Sequence, residues 1–118
     1  MHRLLRLMAV SLLVVGCVQA MAQSYPNKSI RFLVGYAPGG GTDAMARVIA
    51  AKLSESLKQQ VVVDNRPGAN ANIAAKIAAD SPGDGYTVLF MSVSHIMSKP
   101  VYSNLGYDIE REIGRAHV

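Results

Sequence analysis

The sequence predicts an α/β protein with a parallel sheet, because strand-like and helix-like segments alternate along it. Short apolar or β-branched runs begin near residues 30, 61 and 86, and helix-like runs occupy the intervals between them. A strand–helix–strand–helix–strand order favours parallel strands joined by right-handed crossovers. Ligands of such sheets bind beyond the carboxyl ends of the strands, so we expect a site among loops 36–42, 64–70 and 92–95.

The first strand and the first helix flank a glycine-rich turn. The strand is predicted over residues 30–36, an apolar run bounded by Pro26 and Pro38. Thr42 is the expected N-cap of the helix, and Asp43 lies in the first turn, where a carboxylate complements the helix dipole. The apolar side chains of this helix that recur at helical spacing, and that we expect to face the core, are Met45, Val48, Ile49, Leu53 and Leu57.

Two more strands and a second helix are predicted downstream. Residues 61–63 are all valine, a β-branched residue that favours a strand. The alanine-rich residues 73–79 favour a helix. Turn-forming residues 81–85 separate that helix from a third strand over residues 86–91. A loop at residues 92–95 is expected to follow this strand.

The first 22 residues have the parts of a secretory signal. A short basic start precedes an apolar block that is too short for a stable membrane span, and residues 20–22 (AMA) match an A-x-A cleavage triplet. We therefore expect residues 1–22 to be a signal peptide and the product to be exported; a retained N-terminal anchor is the alternative. Cys17, the single cysteine, also lies in a loose lipoprotein box, so lipidation at Cys17 is a second processing alternative.

The last seven residues, EIGRAHV, continue no strand, helix or turn pattern. The same peptide results when a common sequencing adapter is translated in this frame. Residues 112–118 are accordingly interpreted as a non-native tail, with a genuine short tail as the alternative. The part of the chain expected to carry the function is then residues 23–111.

The charge of the chain gives little support for a nucleic-acid partner. The full sequence has 12 basic and 8 acidic residues, a net charge of +4. Without the expected signal and tail, which contain Arg3, Arg6, Arg115 and Glu112, 9 basic and 7 acidic residues remain. No Lys/Arg cluster accompanies them, so no nucleic-acid binding is expected.

The glycine turn at residues 35–42 permits three kinds of binding site. A P-loop is disfavoured because Gly41 occupies the position of the phosphate-binding lysine. A dinucleotide site is an alternative, since Gly39-x-Gly41-x-x-Ala44 fits G-x-G-x-x-A and Asp64 ends the second strand. The third is a small anion held by the backbone amides of residues 39–42, which glycines leave open to close approach. A tight turn that holds nothing is the structural alternative.

Catalytic and metal sites are not predicted. No nucleophile is paired with a base, and no histidines or cysteines have metal-ligand spacing. We therefore expect a protein without enzymatic activity, cofactor or metal. An exported α/β enzyme remains the alternative.

Residues 25–111 resemble the receptors of tripartite tricarboxylate transporters, the Bug family. Several motifs carry the resemblance, in the same order and at the spacing of that family. They are Tyr25-Pro26, Pro38-Gly39-Gly40-x-x-Asp43, Asn65-Arg66-Pro67-Gly68-Ala69, Asp84-Gly85-Tyr86-Thr87 and Tyr107-Asp108.

The resemblance implies a periplasmic binding protein with two α/β lobes of the type II-like kind. Such a protein captures a small carboxylated compound and delivers it to membrane permease subunits; a monomer is expected. Two lobes of ordinary size require roughly 300 residues. Residues 23–111 would then be a partial first lobe, truncated before the second, and which carboxylate is bound stays open.

The same resemblance implies a set of ligand-binding residues in the three loops. Asp43 has two alternatives, a hydrogen bond to the ligand or capping of its own helix. His95 also has two, a ligand hydrogen bond or a solvent-exposed loop position. At Asn70 this chain has an amide where the family often has glycine. The full set is Tyr36, Ala37, Gly39, Gly40, Gly41, Thr42, Asp43, Asn70, Ser92, Ser94 and His95.

Overall fold

A computed structural model describes residues 25–113, and these residues form a three-stranded sheet with helices on both faces. The strands are β1 (Ile30–Val34), β2 (Val61–Asn65) and β3 (Thr87–Phe90). Their order is β2-β1-β3, and both pairings are parallel. The predicted α/β class with a parallel sheet is confirmed. The expected signal peptide, Cys17 and residues 114–118 of the expected tail lie outside the described residues.

Three α-helices and one 3₁₀ turn connect and follow the strands. They are α1 (Gly41–Leu57), α2 (Asn72–Ala79) and α3 (Val93–Val101), and the 3₁₀ turn is Ala69–Ala71. The first helix starts two residues before the predicted start after a Thr42 N-cap, and the second starts one residue before its predicted start. The prediction of a loop at 92–95 is wrong, because residues 93–95 form the first turn of α3.

The core lies between the sheet and α1. Ile30, Phe32 and Val34 alternate along β1 and so point to one face, where Ala46 and Ala50 of α1 are buried with them. Leu33, which is 0% exposed, points to the opposite face. The helix α2 contacts β1 and β3 on that face, and its buried residues are Asn72, Ala74 and Ala75. Small side chains on both helices allow them to lie close to the sheet.

The packing face of α1 differs from the predicted one. Met45 is 59% exposed and Val48 is 65% exposed, and Ile49 and Leu53 are also exposed. Of the five predicted core positions, Leu57 is the one that packs on the core. The expectation was wrong for the other four because Ala46 and Ala50 define the buried side. Met45 and Val48 lie more than about 100° around the helix axis from Ala50.

Candidate binding site at the carboxyl edge of the sheet

The turns that follow the three strands meet at the carboxyl edge of the sheet. The Tyr36 hydroxyl, just after β1, lies 2.7 Å from both Ser92 Oγ and Ser94 Oγ, which come after β3. Asn65, the last residue of β2, donates from Nδ2 to the Tyr36 carbonyl over 3.0 Å. The structure thus brings together residues from all three predicted loops.

Asp43 holds the glycine turn in place. Its side chain is buried, with Oδ2 accepting hydrogen bonds from the Gly39 amide (2.9 Å) and from Arg47 Nε (2.8 Å). Oδ1 accepts from Asn65 Nδ2 over 2.9 Å. These donors, Arg47 first among them, hold the pKa of the Asp43 carboxyl well below its usual range. Of the two alternatives, the structure therefore favours a role within the protein, as an anchor for the turn.

The first turn of α1 has backbone amides available at the same edge. The N-cap of α1 is Gly40, so the prediction of Thr42 as N-cap is wrong. Glycine has no side chain to cap the first amides of the helix. The helical ladder starts with the Ala44 amide, which donates to the Gly40 carbonyl. The amides of Gly41 and Thr42 precede it and have no intrahelical acceptor. The Gly39 amide is already committed to Asp43, so it does not belong with them.

The space in front of this turn is open. A Cβ atom built on Gly39 or on Gly41 would meet no heavy atom within 4 Å. Gly39 has a φ of +86°, a conformation that side chains disfavour, so the backbone explains that glycine. Gly41 is the first residue of a helix and has no such requirement. Neither steric crowding nor backbone geometry therefore accounts for glycine at position 41.

The turn after β2 is strained. Ala69, Asn70 and Ala71 have φ values of 47°, 54° and 69°. Each residue other than glycine costs roughly 1–2 kcal/mol in this left-handed region, somewhat less for asparagine. A Cβ on Gly35 would clash with Ala71, so the turn also lies directly against the end of β1. Asn70 is exposed at its apex.

His95 lies behind the site. Its side chain is 0% exposed, and Nδ1 accepts a hydrogen bond from the Ser92 amide over 3.1 Å. Within residues 25–113, Nε2 makes no hydrogen bond of good geometry, although the backbone of Ala71 lies near the ring. Burial lowers the pKa of this imidazole, so it is neutral near pH 7. The exposed-loop alternative is wrong, and direct ligand contact would need solvent access that this side chain lacks.

Asp64, the acid of the dinucleotide alternative, is occupied by two arginines. Oδ2 lies 2.6 Å from both Arg31 Nε and Arg31 Nη2, and Oδ1 accepts from Arg66 Nε over 2.9 Å. Burial raises the pKa of Asp64, but hydrogen bonds and charge from the arginines outweigh it and the net shift is downward. A ribose hydroxyl would have to displace one of these ion pairs, which disfavours the dinucleotide site.

Two of the motifs behind the resemblance lie at the other end of the sheet. Tyr25 donates from its hydroxyl to the Gly85 carbonyl over 2.7 Å, and Tyr86 donates to Asn27 Oδ1 over 2.8 Å. The two tyrosine rings pack edge to face with centroids 5.1 Å apart. We call this group, residues 25–28 with 84–86, the amino-edge cluster. It ties the start of the described chain to the turn before β3.

Sequence reasoning missed three residues that shape the carboxyl edge. Asn65 and Arg47 hold Asp43, and Asn72 bonds the strained turn at the Ala69 carbonyl. Signals were available for all three: Asn65 comes at the end of a predicted strand, Arg47 is four residues after Asp43 on a predicted helix, and Asn72 is the second amide of Asn70-Ala71-Asn72. Among residues 25–113, no cluster of three or more potential metal ligands is found, and no helix has the length and apolar character to cross a bilayer.

Comparison with known proteins identifies the family. The profile of the tripartite tricarboxylate transporter family receptor matches residues 45–115. The chain belongs to this family. It is 39% identical over 108 residues to a UPF0065 protein of Bordetella bronchiseptica, an alignment covering 91% of this chain and 32% of that protein. It is 43% identical over 95 residues to the protein BugT of Bordetella pertussis, covering 80% and 29%. The chain thus spans about a third of the length of these relatives.

Solved structures share the fold of the described residues. The periplasmic binding protein BugD is 34% identical and superposes with a TM-score of 0.69 over 71% of this chain and 28% of its own. R. palustris Rpa4515, solved with adipate, is 45% identical with a TM-score of 0.55 over 56% and 22%. MatC from Rhodopseudomonas palustris, solved with bound malate, is 34% identical with a TM-score of 0.53 over 55% and 22%.

Proposed function

We propose that this chain supplies the first part of a periplasmic solute-binding receptor for a small carboxylate. Its family is that of receptors serving tripartite tricarboxylate transporters. Two structural neighbours contain the dicarboxylates adipate and malate. We therefore infer that the ligand is a small dicarboxylate, that the receptor works in the periplasm, and that its role is capture, not catalysis.

The observation that carries the proposal is the open glycine turn. The amides of Gly41 and Thr42 stand at the positive end of a 17-residue helix and lack intrahelical acceptors. Open space in front of Gly41 lets a carboxylate oxygen approach these donors closely. Arg47 balances the charge of Asp43, so the buried carboxylate repels an incoming anion less. One ligand carboxylate would lie here.

A second polar surface of the proposed site is formed by the hydroxyl groups of Tyr36, Ser92 and Ser94, and we call it the hydroxyl surface. All three side chains are half-buried at the same edge, on turns that follow two different strands. Hydroxyls can donate to or accept from a polar ligand group. This surface, together with the Asn70 amide, is where we propose that the rest of the ligand is recognised.

The substitution Gly41→Ala tests the proposal, because it should weaken ligand binding without lowering stability. Alanine at the start of a helix should leave the free energy of unfolding unchanged or raise it by about 0.5 kcal/mol. The added methyl group should weaken malate or adipate binding by tenfold or more, measured by calorimetric titration. Ser56→Ala, an exposed change on the same helix, is the control and should leave affinity unaltered.

Two results would count against the proposed function. Unaltered affinity in Gly41→Ala would move the carboxylate away from this turn. Absence of any heat or stabilisation with malate, adipate or related dicarboxylates would contradict carboxylate capture by this chain as a whole.

For the whole receptor, we propose that the second lobe implied by the resemblance closes over the bound carboxylate. The permease would then recognise the closed form, which requires contacts made better in that form than in the open one. Solution scattering on a two-lobe relative of full length should show compaction on adding its ligand. An unchanged radius of gyration would remove the closure step.

A further inference from the structure

We propose that Asn72, Ser98 and Tyr107 form a polar clasp that holds the strained turn after β2 in its ligand-binding shape. Asn72 donates from Nδ2 to the Ala69 carbonyl (2.7 Å) and to Ser98 Oγ (3.1 Å). Its Oδ1 accepts a hydrogen bond from the Tyr107 hydroxyl over 2.7 Å. A single amide therefore links the turn to α3 and to the segment that follows α3.

The clasp is buried and fully bonded at its centre. Asn72 is 7% exposed and Ser98 is 0% exposed. Ser98 Oγ donates in turn to the Ser94 carbonyl over 2.7 Å, which connects the clasp to the hydroxyl surface of the site. Burial raises the pKa of Tyr107, so its phenol stays protonated and can donate to Asn72. Polar groups buried in this way are costly unless they are satisfied, so each member depends on the others.

The turn needs such support because its conformation is unfavourable without it. Three consecutive non-glycine residues, Ala69–Ala71, have positive φ values. Left-handed conformations persist in such residues where surrounding contacts over-determine them. Contact between Ala71 and Gly35 restrains one end of the turn. The hydrogen bond from Asn72 restrains the Ala69 carbonyl at the other end. Loss of the clasp should let the turn relax while the sheet stays intact.

This inference rests on the proposed function, in which the turn presents the Asn70 amide to the ligand. Asn70 is exposed at the apex, one residue from each end of the left-handed stretch. Asn72, Ser98 and Tyr107 would be positioning residues, which set the place of Asn70 without touching the ligand. Their substitution should therefore lower affinity through the turn.

A matched pair of Tyr→Phe substitutions tests the clasp without ligand. Tyr107→Phe removes the hydrogen bond to Asn72, whereas Tyr86→Phe removes the hydroxyl that bonds Asn27 in the amino-edge cluster. In the 118-residue chain, amide exchange at residues 69–72 should be at least about threefold faster in Tyr107→Phe than in wild type. Tyr86→Phe should leave exchange in these residues unchanged. Equal exchange at 69–72 in the two variants would overturn the clasp, whether or not a carboxylate binds.

Malate titration then tests the effect on binding. Tyr107→Phe should weaken binding by roughly threefold to tenfold, the loss of about one hydrogen bond, with no change in Tyr86→Phe. In an Ala69→Gly background, where the left-handed turn costs less, the same substitution should weaken binding less. Faster exchange with unaltered affinity would overturn the role in binding. Wild-type chain that binds neither malate nor adipate would instead contradict the proposed function, and the exchange result would still decide the clasp.

Discussion

The two ends of the sheet use glycine for different reasons. At the amino edge, Gly85 has a φ of +78°, and a Cβ there would lie 2.7 Å from the Tyr25 hydroxyl oxygen. At the carboxyl edge, Gly39 also has a positive φ, but a Cβ on it or on Gly41 would meet nothing within 4 Å. Packing therefore demands glycine at position 85, as it does at Gly35 beside Ala71, whereas the turn at Gly39 and Gly41 leaves space.

This difference separates motifs that build the fold from the motif that we propose for ligand binding. The Tyr25-Pro26 and Asp84-Gly85-Tyr86-Thr87 motifs contact each other and stabilise the entry to the sheet. The Pro38-Gly39-Gly40 motif faces open space beside backbone donors. A shared motif is thus evidence for a family, while the space around its residues indicates whether a ligand has room to bind.

The largest effect on stability is expected for Gly85→Ala. The substitution combines a left-handed φ with a clash against Tyr25, so the free energy of unfolding should fall by about 3 kcal/mol. Gly39→Ala is the matched control, since it has the same backbone problem without a neighbour, and should lose about 1–2 kcal/mol. Urea titration of both variants measures this. Equal losses would show that crowding does not distinguish the two edges.

An intermediate effect is expected for Asp43→Asn, and it should depend on pH. The folded state lowers the pKa of Asp43, so its contribution to stability is present above the unfolded-state pKa of about 4 and declines as pH falls below it. Unfolding measurements should therefore give a constant difference between wild type and Asp43→Asn from about pH 5 to pH 8. The difference should shrink below about pH 4. A stability difference between wild type and Asp43→Asn that grows on acidification would contradict a lowered pKa of Asp43 in the folded state.

The smallest effect is expected for Lys28→Met in the amino-edge cluster. Lys28 Nζ lies 3.6 Å from Asp84 Oδ2 and 4.2 Å from the centroid of the Tyr86 ring. The Lys28 side chain is largely exposed. Exposed ion pairs and cation–π contacts are worth about 0.5 kcal/mol or less under physiological salt. Thermal unfolding should barely change. A loss comparable to that of Gly85→Ala would mean that charge, and not packing, holds this cluster.

Much of the fold was predictable because it depends on local patterns. The β-branched run at residues 61–63 and the alanine-rich residues 73–79 indicated a strand and a helix, and both are present. The helix α3 was missed, since Ser92–His95 resemble a loop and Pro100 lies inside the helix. The packing side of α1 was also missed. Hydrophobic size pointed to Met45 and Val48, whereas close approach to the sheet selected Ala46 and Ala50.

The candidate site was predictable in its location more than in the roles of its residues. The alternation of strands and helices along the sequence was enough to predict that three loops lie at one edge of the sheet. Gly39 and Arg47 lie four residues from Asp43 in the sequence, whereas the third donor, Asn65, comes from 22 residues away and depends on the sheet to reach it. The burial of His95 depended on a helix that the sequence did not indicate.

The α/β class, the parallel sheet and the family could be predicted from the sequence, because they follow from periodicity, turn chemistry and motifs that act over a few residues. Tertiary contacts decided that Asn65 meets Asp43 and which glycines face open space. They also decided that Asn72 meets Tyr107, 35 residues away. Such contacts depend on distances between atoms that are far apart in the chain. Local sequence patterns do not specify those distances.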